Sequence, residues 1–249
     1  MSENSTPVAD VIERWTEFLK NPAEADIMAL YAHATEQGLD FFQVEAARST
    51  ARLALGREKI RDRRNAGLPV TWNYARHGFP YYDRNELPAV LMHLWQEDAM
   101  TPEELAKGLE DAWTSAEWPE VQEFSCDWAD VFEFVGFLEN AKQAPSKQPT
   151  KPLTVYRGAT AERAKGMSWT DNPAKALWFA KRFVTQTSST ETSVYELVVD
   201  PVDLYAHFTT GRGEDEWVLN PYSLDSYYEP FGHDLAEAEA RWGTPATTR

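Results

Sequence analysis

The residues of this chain that could carry out chemistry lie mainly in its second half. They form an ordered series of one arginine, a hydroxyl pair and a carboxylate pair: Arg157, Ser168 with Thr170, and Glu214 with Glu216. Side chains two positions apart on a strand point to the same face, so each pair would present two groups to one side. Carboxylates can accept protons, hydroxyls can donate and accept hydrogen bonds, and a guanidinium donates several hydrogen bonds.

Several other kinds of site are not predicted. The five histidines show no two-residue or four-residue pairing on a predicted helix, so we expect no metal site. The sequence contains no phosphate loop ending in Lys-Ser or Lys-Thr, no dinucleotide fingerprint and no nucleophile elbow. The single cysteine, Cys126, is interpreted as a small buried hydrophobic residue and indicates a reducing compartment. An enzyme with this sequence would therefore use carboxylates, hydroxyls and an arginine.

The composition is that of a globular chain with an aromatic-rich core. Of the 249 residues, 43% are hydrophobic, and the formal net charge is −16, which argues against general binding to a phosphate backbone. The basic segment at residues 48–64 is interpreted as a solvated helix face paired with acidic neighbours, with an RNA or partner contact as the alternative. We expect no membrane span and no secretory signal peptide, and therefore action in the cytoplasm of its own or a target cell.

The first half of the sequence is predicted to be helical. Apolar residues recur at steps of three and four, often behind a capping residue, and they predict helices at about residues 7–19, 23–37, 41–66, 87–98, from 102 onwards, and 128–138. Residues 68–84 mix prolines, a glycine and aromatic residues without a period, which predicts a loop packed by its own rings.

The pattern changes after residue 142. Residues 143–152 carry three prolines and no large apolar residue, which predicts an extended linker. Short β-branched or aromatic runs then predict strands at 153–157, 193–199, 203–208 and 216–219. Helices are predicted at 173–183, capped by Asn172 or Asp171, and near 234–242. We therefore expect an α+β fold with a helical region at 1–142, a linker at 143–152 and a mixed domain at 153–249.

The second half also resembles a known family of enzymes. Its VYRG, MSWTDNPAKALWFAKRF, SVYELVVDPVDLYAHF and GRGEDEWVLNP segments are similar, in order and spacing, to the catalytic domain of mono-ADP-ribosyltransferases of the arginine, serine, glutamate type. This family includes bacterial ADP-ribosylating toxins, and the resemblance covers about Leu153 to Pro221. It implies a split β-sheet core with flanking helices and NAD as the substrate, without a metal.

The resemblance also implies roles for individual residues. Glu216 would stabilise the cationic ribose that forms when nicotinamide leaves. Arg157 would hold the NAD phosphates, and Ser168 and Thr170 would bind the nicotinamide ribose and fix the rotamer of Glu216. Gly158 would leave room for the nicotinamide amide to reach the backbone.

Glu214 bears on the acceptor that receives ADP-ribose. In the family, a glutamate at this position accompanies arginine acceptors, so a protein arginine is favoured, and residues 208–213 correspond to the substrate-recognising turn. Modification of RNA or DNA, or hydrolysis of NAD, are alternatives with the same fold. A non-catalytic binding or structural module and a helical interaction protein are alternatives of other classes. Residues 1–142 would then serve targeting, substrate recognition or regulation.

Overall fold

The computed structural model describes residues 6–21, 27–78, 82–117, 119, 128–187, 191–210 and 215–243. The chain divides into two compact units, residues 1–104 and 105–249. Helices form the first unit, and helices with two small β-sheets form the second, so the expected α+β class is confirmed at this level. None of the helices in the described ranges is long and apolar enough to cross a membrane.

Local sequence signals account for most of the helices of the first unit. They are α1 (Pro7–Lys20), α2 (Ile27–Glu36), α3 (Phe41–Asn65), α4 (Trp72–His77), α5 (Leu87–Gln96) and the start of α6 (Pro102–Ser115). The Thr6 hydroxyl caps α1, and Asp40 forms a capping box with Gln43 at the start of α3. The helices α1, α2 and α3 enclose a core centred on Trp15, which is fully buried.

The prediction of a loop at residues 68–84 is wrong in part, because this segment contains α4. A helix of six residues is too short to show a period, so the pattern gives no signal for it. Its start is capped twice. The Thr71 hydroxyl accepts from the backbone N–H of Tyr74, and the Glu104 carboxylate accepts from that of Trp72 at 2.7 Å. The second cap comes from 32 residues away and depends on the tertiary fold.

The basic segment of α3 forms ion pairs within its own unit. Arg48 pairs with Glu45, and Arg64 pairs with Glu97. Arg52 forms a buried pair with Glu86, at 3.0 Å between Nη2 and Oε1. These three pairs agree with the interpretation of a helix face balanced by acidic neighbours.

The second unit contains the strands. Its further elements are α7 (Trp128–Val135), β1 (Leu138–Glu139), β2 (Lys142–Gln143), β3 (Leu153–Thr160), β4 (Ser168–Trp169), α8 (Pro173–Thr187), β5 (Thr192–Val199), β6 (Leu204–Phe208), β7 (Glu216–Leu219), α9 (Pro221–Tyr227), β8 (Phe231–Asp234) and α10 (Leu235–Trp242). The predicted cap of α8 is confirmed at Asn172, whose side-chain oxygen accepts from the backbone N–H groups of Ala174 and Lys175.

The strands form two sheets that share one core. The first has the order β2-β1-β6-β7-β4, with β1 parallel to β6 and the other pairs antiparallel. The second is antiparallel, in the order β3-β5-β8. An isolated bridge between Tyr156 and Thr170 links them, through backbone hydrogen bonds of 2.7 and 2.9 Å. Residues of both sheets, among them Val155 and Trp217, form the core cluster.

Several boundaries differ from the sequence predictions, among them the end of α8, which is at Thr187 and not at residue 183. The first strand was expected to end at Arg157, but β3 runs on to Thr160, because its ladder with β5 continues through Gly158 and beyond. Helix α7 ends at Val135, because Gly136 takes a left-handed backbone conformation with φ of 80°. The residues that follow form the β1–β2 hairpin, and the side chain of Gln148 in the proline-rich segment donates to the carbonyl of Pro201 at 2.6 Å.

Candidate active site

Glu216 lies at the first position of β7, inside the second unit. Its relative exposure is 7%, and its Oε1 accepts a hydrogen bond of 2.7 Å from the indole N–H of Trp113. Trp113 belongs to α6 and packs edge-on against the rings of Trp128 and Phe132. The candidate catalytic carboxylate is therefore held against a layer of aromatic side chains.

Sheet pairing aligns the hydroxyl pair with this carboxylate. In the β4–β7 ladder, Ser168 lies opposite Val218 and Trp169 lies opposite Trp217. Continuing this antiparallel register by one residue sets Thr170 opposite Glu216. Residues directly opposite one another share a face, so Ser168 and Thr170 lie on the face that Glu216 occupies. Trp169 points to the other face, where it is buried in the core, as expected.

Arg157 is bonded to the same strand as the hydroxyl pair. Its Nη1 donates to the backbone carbonyl of Ser168 at 2.5 Å, and its Nε donates to the carbonyl of Arg163 at 2.9 Å. The guanidinium therefore connects β3 to β4. Three motifs that are far apart in the sequence thus meet at the junction of the two sheets.

The tyrosine that precedes this arginine has a perturbed acidity. Burial, with a smaller contribution from the Glu196 carboxylate, raises the pKa of the Tyr156 phenol. The phenol therefore stays protonated and neutral at physiological pH. Its backbone forms the bridge to Thr170, while its ring packs edge-on against that of Trp242.

Gly158 has a packing reason to be a glycine. A Cβ atom at this position would overlap the backbone carbonyl of Ala176 and the backbone nitrogen of Ala180, both in α8. The absence of a side chain therefore lets α8 approach β3 closely. This reason differs from the ligand contact that the family resemblance implies.

Glu214 and residues 211–213 of the expected recognition turn lie outside the described residues. Asp215 is described and takes a left-handed conformation with φ of 51°. Its Oδ1 is 2.9 Å from Nε2 of His207. In the β6–β7 ladder, His207 lies opposite Trp217, the neighbour of Glu216 in the strand. The His207 side chain is therefore on the face of the sheet opposite to that of Glu216. Asp215 and Glu216 therefore serve opposite faces, as the alternation predicts.

A second set of hydrogen bonds holds Thr209 and Thr210, which directly precede residues 211–214. The Asn140 side-chain oxygen accepts from the backbone N–H groups of Thr209 and Thr210, at 2.8 and 3.2 Å. The Glu110 carboxylate accepts a short hydrogen bond from the Thr210 hydroxyl. Sequence reasoning missed Glu110, Trp113 and Asn140, which lie in segments assigned to the helical region. The three-residue spacing of Glu110 and Trp113 was the only local signal that could have linked the two.

No group of three or more His, Cys, Asp or Glu side chains within the described ranges is arranged to hold a metal ion. Comparisons of this chain with protein-family models, with curated proteins and with solved structures find no match. The function is therefore argued from the residues and their geometry.

Proposed function

We propose that this chain is an NAD-dependent mono-ADP-ribosyltransferase that moves ADP-ribose from NAD to a macromolecular acceptor, with a protein arginine favoured. One observation carries the proposal. The Arg157 guanidinium is hydrogen-bonded to the Ser168 carbonyl, and the β4–β7 register, when continued by one residue, sets Thr170 opposite Glu216. The arginine, hydroxyl and carboxylate motifs that the family uses together are therefore close together in this fold.

The two-sheet architecture adds support. A split core, in which two sheets meet at the nucleotide site, is what the family resemblance implies. In this chain a five-stranded and a three-stranded sheet are linked by the bridge between Tyr156 and Thr170. The bridge lies directly beside Arg157 in the sequence, so the candidate site lies at the junction of the sheets.

The chemistry assigned to these residues follows from charge. When the bond between the nicotinamide nitrogen and the ribose C1′ breaks, its electron pair leaves with nicotinamide and positive charge develops on the ribose. The Glu216 carboxylate would stabilise that charge, as carboxylates do in glycoside cleavage. Arg157 would bind NAD phosphate oxygens, and Ser168 and Thr170 would bind hydroxyl groups of the ribose.

The surroundings of the expected recognition turn favour a cationic acceptor. The Glu110 carboxylate contacts Thr210, and those of Glu139 and Asp215 contact His207; both contacted residues precede 211–214 closely in the sequence. A negative field of this kind attracts a guanidinium and repels a nucleic acid. A guanidinium nitrogen would form the new bond to C1′, and its proton would pass to Glu214.

Incubation with labelled NAD and a cell lysate tests the proposal. We expect labelled macromolecules with the wild-type chain and a loss of about 10²- to 10³-fold in rate for Glu216→Gln, since this substitution removes the stabilising charge. Glu237→Gln is the matched control, because Glu237 pairs with His233 and is half-exposed. Its labelling should equal that of the wild type. Unchanged labelling by Glu216→Gln would refute the assigned role.

The same reaction separates the alternatives. Label released by protease identifies a protein acceptor, and label released by nuclease identifies RNA or DNA. Free ADP-ribose without labelled macromolecules identifies an NAD glycohydrolase. Calorimetry that detects no NAD binding would favour a non-catalytic module.

A further inference from the structure

Helix α6 contacts the chain on both sides of the undescribed residues 211–214. Glu110 accepts from the hydroxyl of Thr210, the last described residue before them. Trp113 donates to Glu216, the second residue after them. Residues three positions apart in a helix lie on the same face, so one face of α6 makes both contacts.

The bond between Trp113 and Glu216 is buried at both ends. The relative exposures of the two residues are 2% and 7%. A buried carboxylate needs hydrogen-bond donors, and a bond from an N–H to an ionised oxygen is among the stronger kinds. The rings of Trp128 and Phe132, with centroids 5.0 and 5.6 Å from that of Trp113, restrict the indole. A fixed donor therefore restrains the rotamer of the carboxylate.

We propose that Trp113 is a positioning residue for Glu216, and that Glu110, on the same face of α6, holds Thr210. This inference rests on the proposed transferase function. Trp113 acts through Glu216 by setting where its carboxylate lies relative to the reacting ribose. Misplacing a catalytic group by a fraction of an ångström slows the chemical step more than it weakens substrate binding.

The test compares Trp113→Phe with Trp15→Phe. Both substitutions shorten a buried indole to a phenyl ring, but the Trp15 indole nitrogen has no hydrogen-bond acceptor within the described residues. We expect kcat of Trp113→Phe to fall about 10- to 100-fold, with KM for NAD changing less than about threefold. Trp15→Phe should keep the wild-type kcat. Rates are normalised to the folded fraction, measured by circular dichroism.

Two further measurements keep the inference testable where Trp113→Phe folds poorly. Thr210→Val changes an exposed side chain that donates to Glu110, and we expect a smaller decrease in kcat with the fold intact. The indole N–H resonance of Trp113, observed by NMR in isotopically labelled protein, should shift in Glu216→Gln. An unchanged resonance would show that the indole does not bind this carboxylate in solution and would overturn the inference.

A double variant tests whether Trp113 acts through Glu216. In a Glu216→Asp background the shorter carboxylate no longer reaches the indole, so adding Trp113→Phe should reduce kcat little further. A wild-type chain that is active, with Trp113→Phe matching Trp15→Phe or gaining activity, would overturn the inference and leave the transferase function standing. A wild-type chain that never consumes NAD would overturn both.

Discussion

Two carboxylates of this chain are equally buried but are held in different ways. Glu86 in the first unit and Glu216 in the second both have a relative exposure of 7%. Glu86 forms an ion pair with the guanidinium of Arg52, and its second oxygen accepts from the backbone N–H of Asp83 at 2.7 Å. Glu216 accepts a hydrogen bond from the neutral indole of Trp113.

These contacts distinguish the structural role of Glu86 from the candidate catalytic role of Glu216. At Glu86, a cation offsets the carboxylate charge, and the backbone bond caps the short turn before α5, so the group serves the fold. At Glu216, the indole bond fixes one oxygen without itself neutralising the charge. A carboxylate held in this way can stabilise positive charge that develops on a substrate.

The largest effect on stability is expected from removing the cation at Glu86. Arg52→Met leaves a buried carboxylate without its guanidinium, so the free energy of unfolding should fall by about 3–5 kcal/mol, measured by urea denaturation. Adding Glu86→Gln removes the uncompensated charge and should restore part of that loss. Equal stability of wild type and Arg52→Met would show that the pair contributes nothing, and the contrast with Glu216 would fail.

An intermediate effect is expected from two glycines, one in each unit. In Gly158→Ala the new methyl group meets backbone atoms of α8, which cannot move independently, so we expect a loss of about 1–3 kcal/mol. In Gly56→Ala the new methyl group meets the side chain of Tyr82. The higher helix propensity of alanine offsets about 1 kcal/mol of the resulting loss of stability. Thermal unfolding of both variants measures the difference. A larger loss for Gly56→Ala would reverse the expected order.

The smallest effect is expected at alkaline pH. Burial, with a smaller contribution from the Glu86 carboxylate, raises the pKa of Tyr82 to about 12. The unfolded chain ionises this phenol near pH ~10, so it loses the proton first and the folded state becomes less stable as pH rises from ~10 towards 12.

Tyr82→Phe should remove on the order of 1–2 kcal/mol of that alkaline loss, measured as the unfolding free energy against pH. Below pH ~10 the difference in unfolding free energy between Tyr82→Phe and the wild type should not change with pH. A difference that stays constant up to pH ~12 would show that Tyr82 ionises as an exposed phenol does.

Much of the fold was predictable where the signal is local. Thr6 and Asp40 cap α1 and α3 through bonds to residues three positions away, and Asn172 caps α8 in the same way. The opposite orientations of Asp215 and Glu216 were also expected, but Asp215 takes a left-handed conformation, so strand alternation alone does not account for them. Asn220 caps α9 before a proline, which is a local signal of the same kind.

Other parts could not be predicted, because their signals are too short or lie elsewhere in the chain. Helix α4 is capped by Glu104 from a distant segment, and β4 consists of only two residues. The β1–β2 hairpin depends on parallel pairing with β6, which follows more than sixty residues later. Patterns of apolar residues carry no information about such partners.

The sequence by itself determined the order of the arginine, hydroxyl and carboxylate motifs, and the elements whose bonds span only a few residues. Only the tertiary structure decided that Arg157 binds the Ser168 carbonyl, and that Trp113 reaches Glu216 across 103 residues of chain. The physical reason is the separation along the chain of the residues that interact. Helix caps and strand alternation depend on neighbouring residues, whereas a contact between distant residues forms only when the whole core brings their elements together.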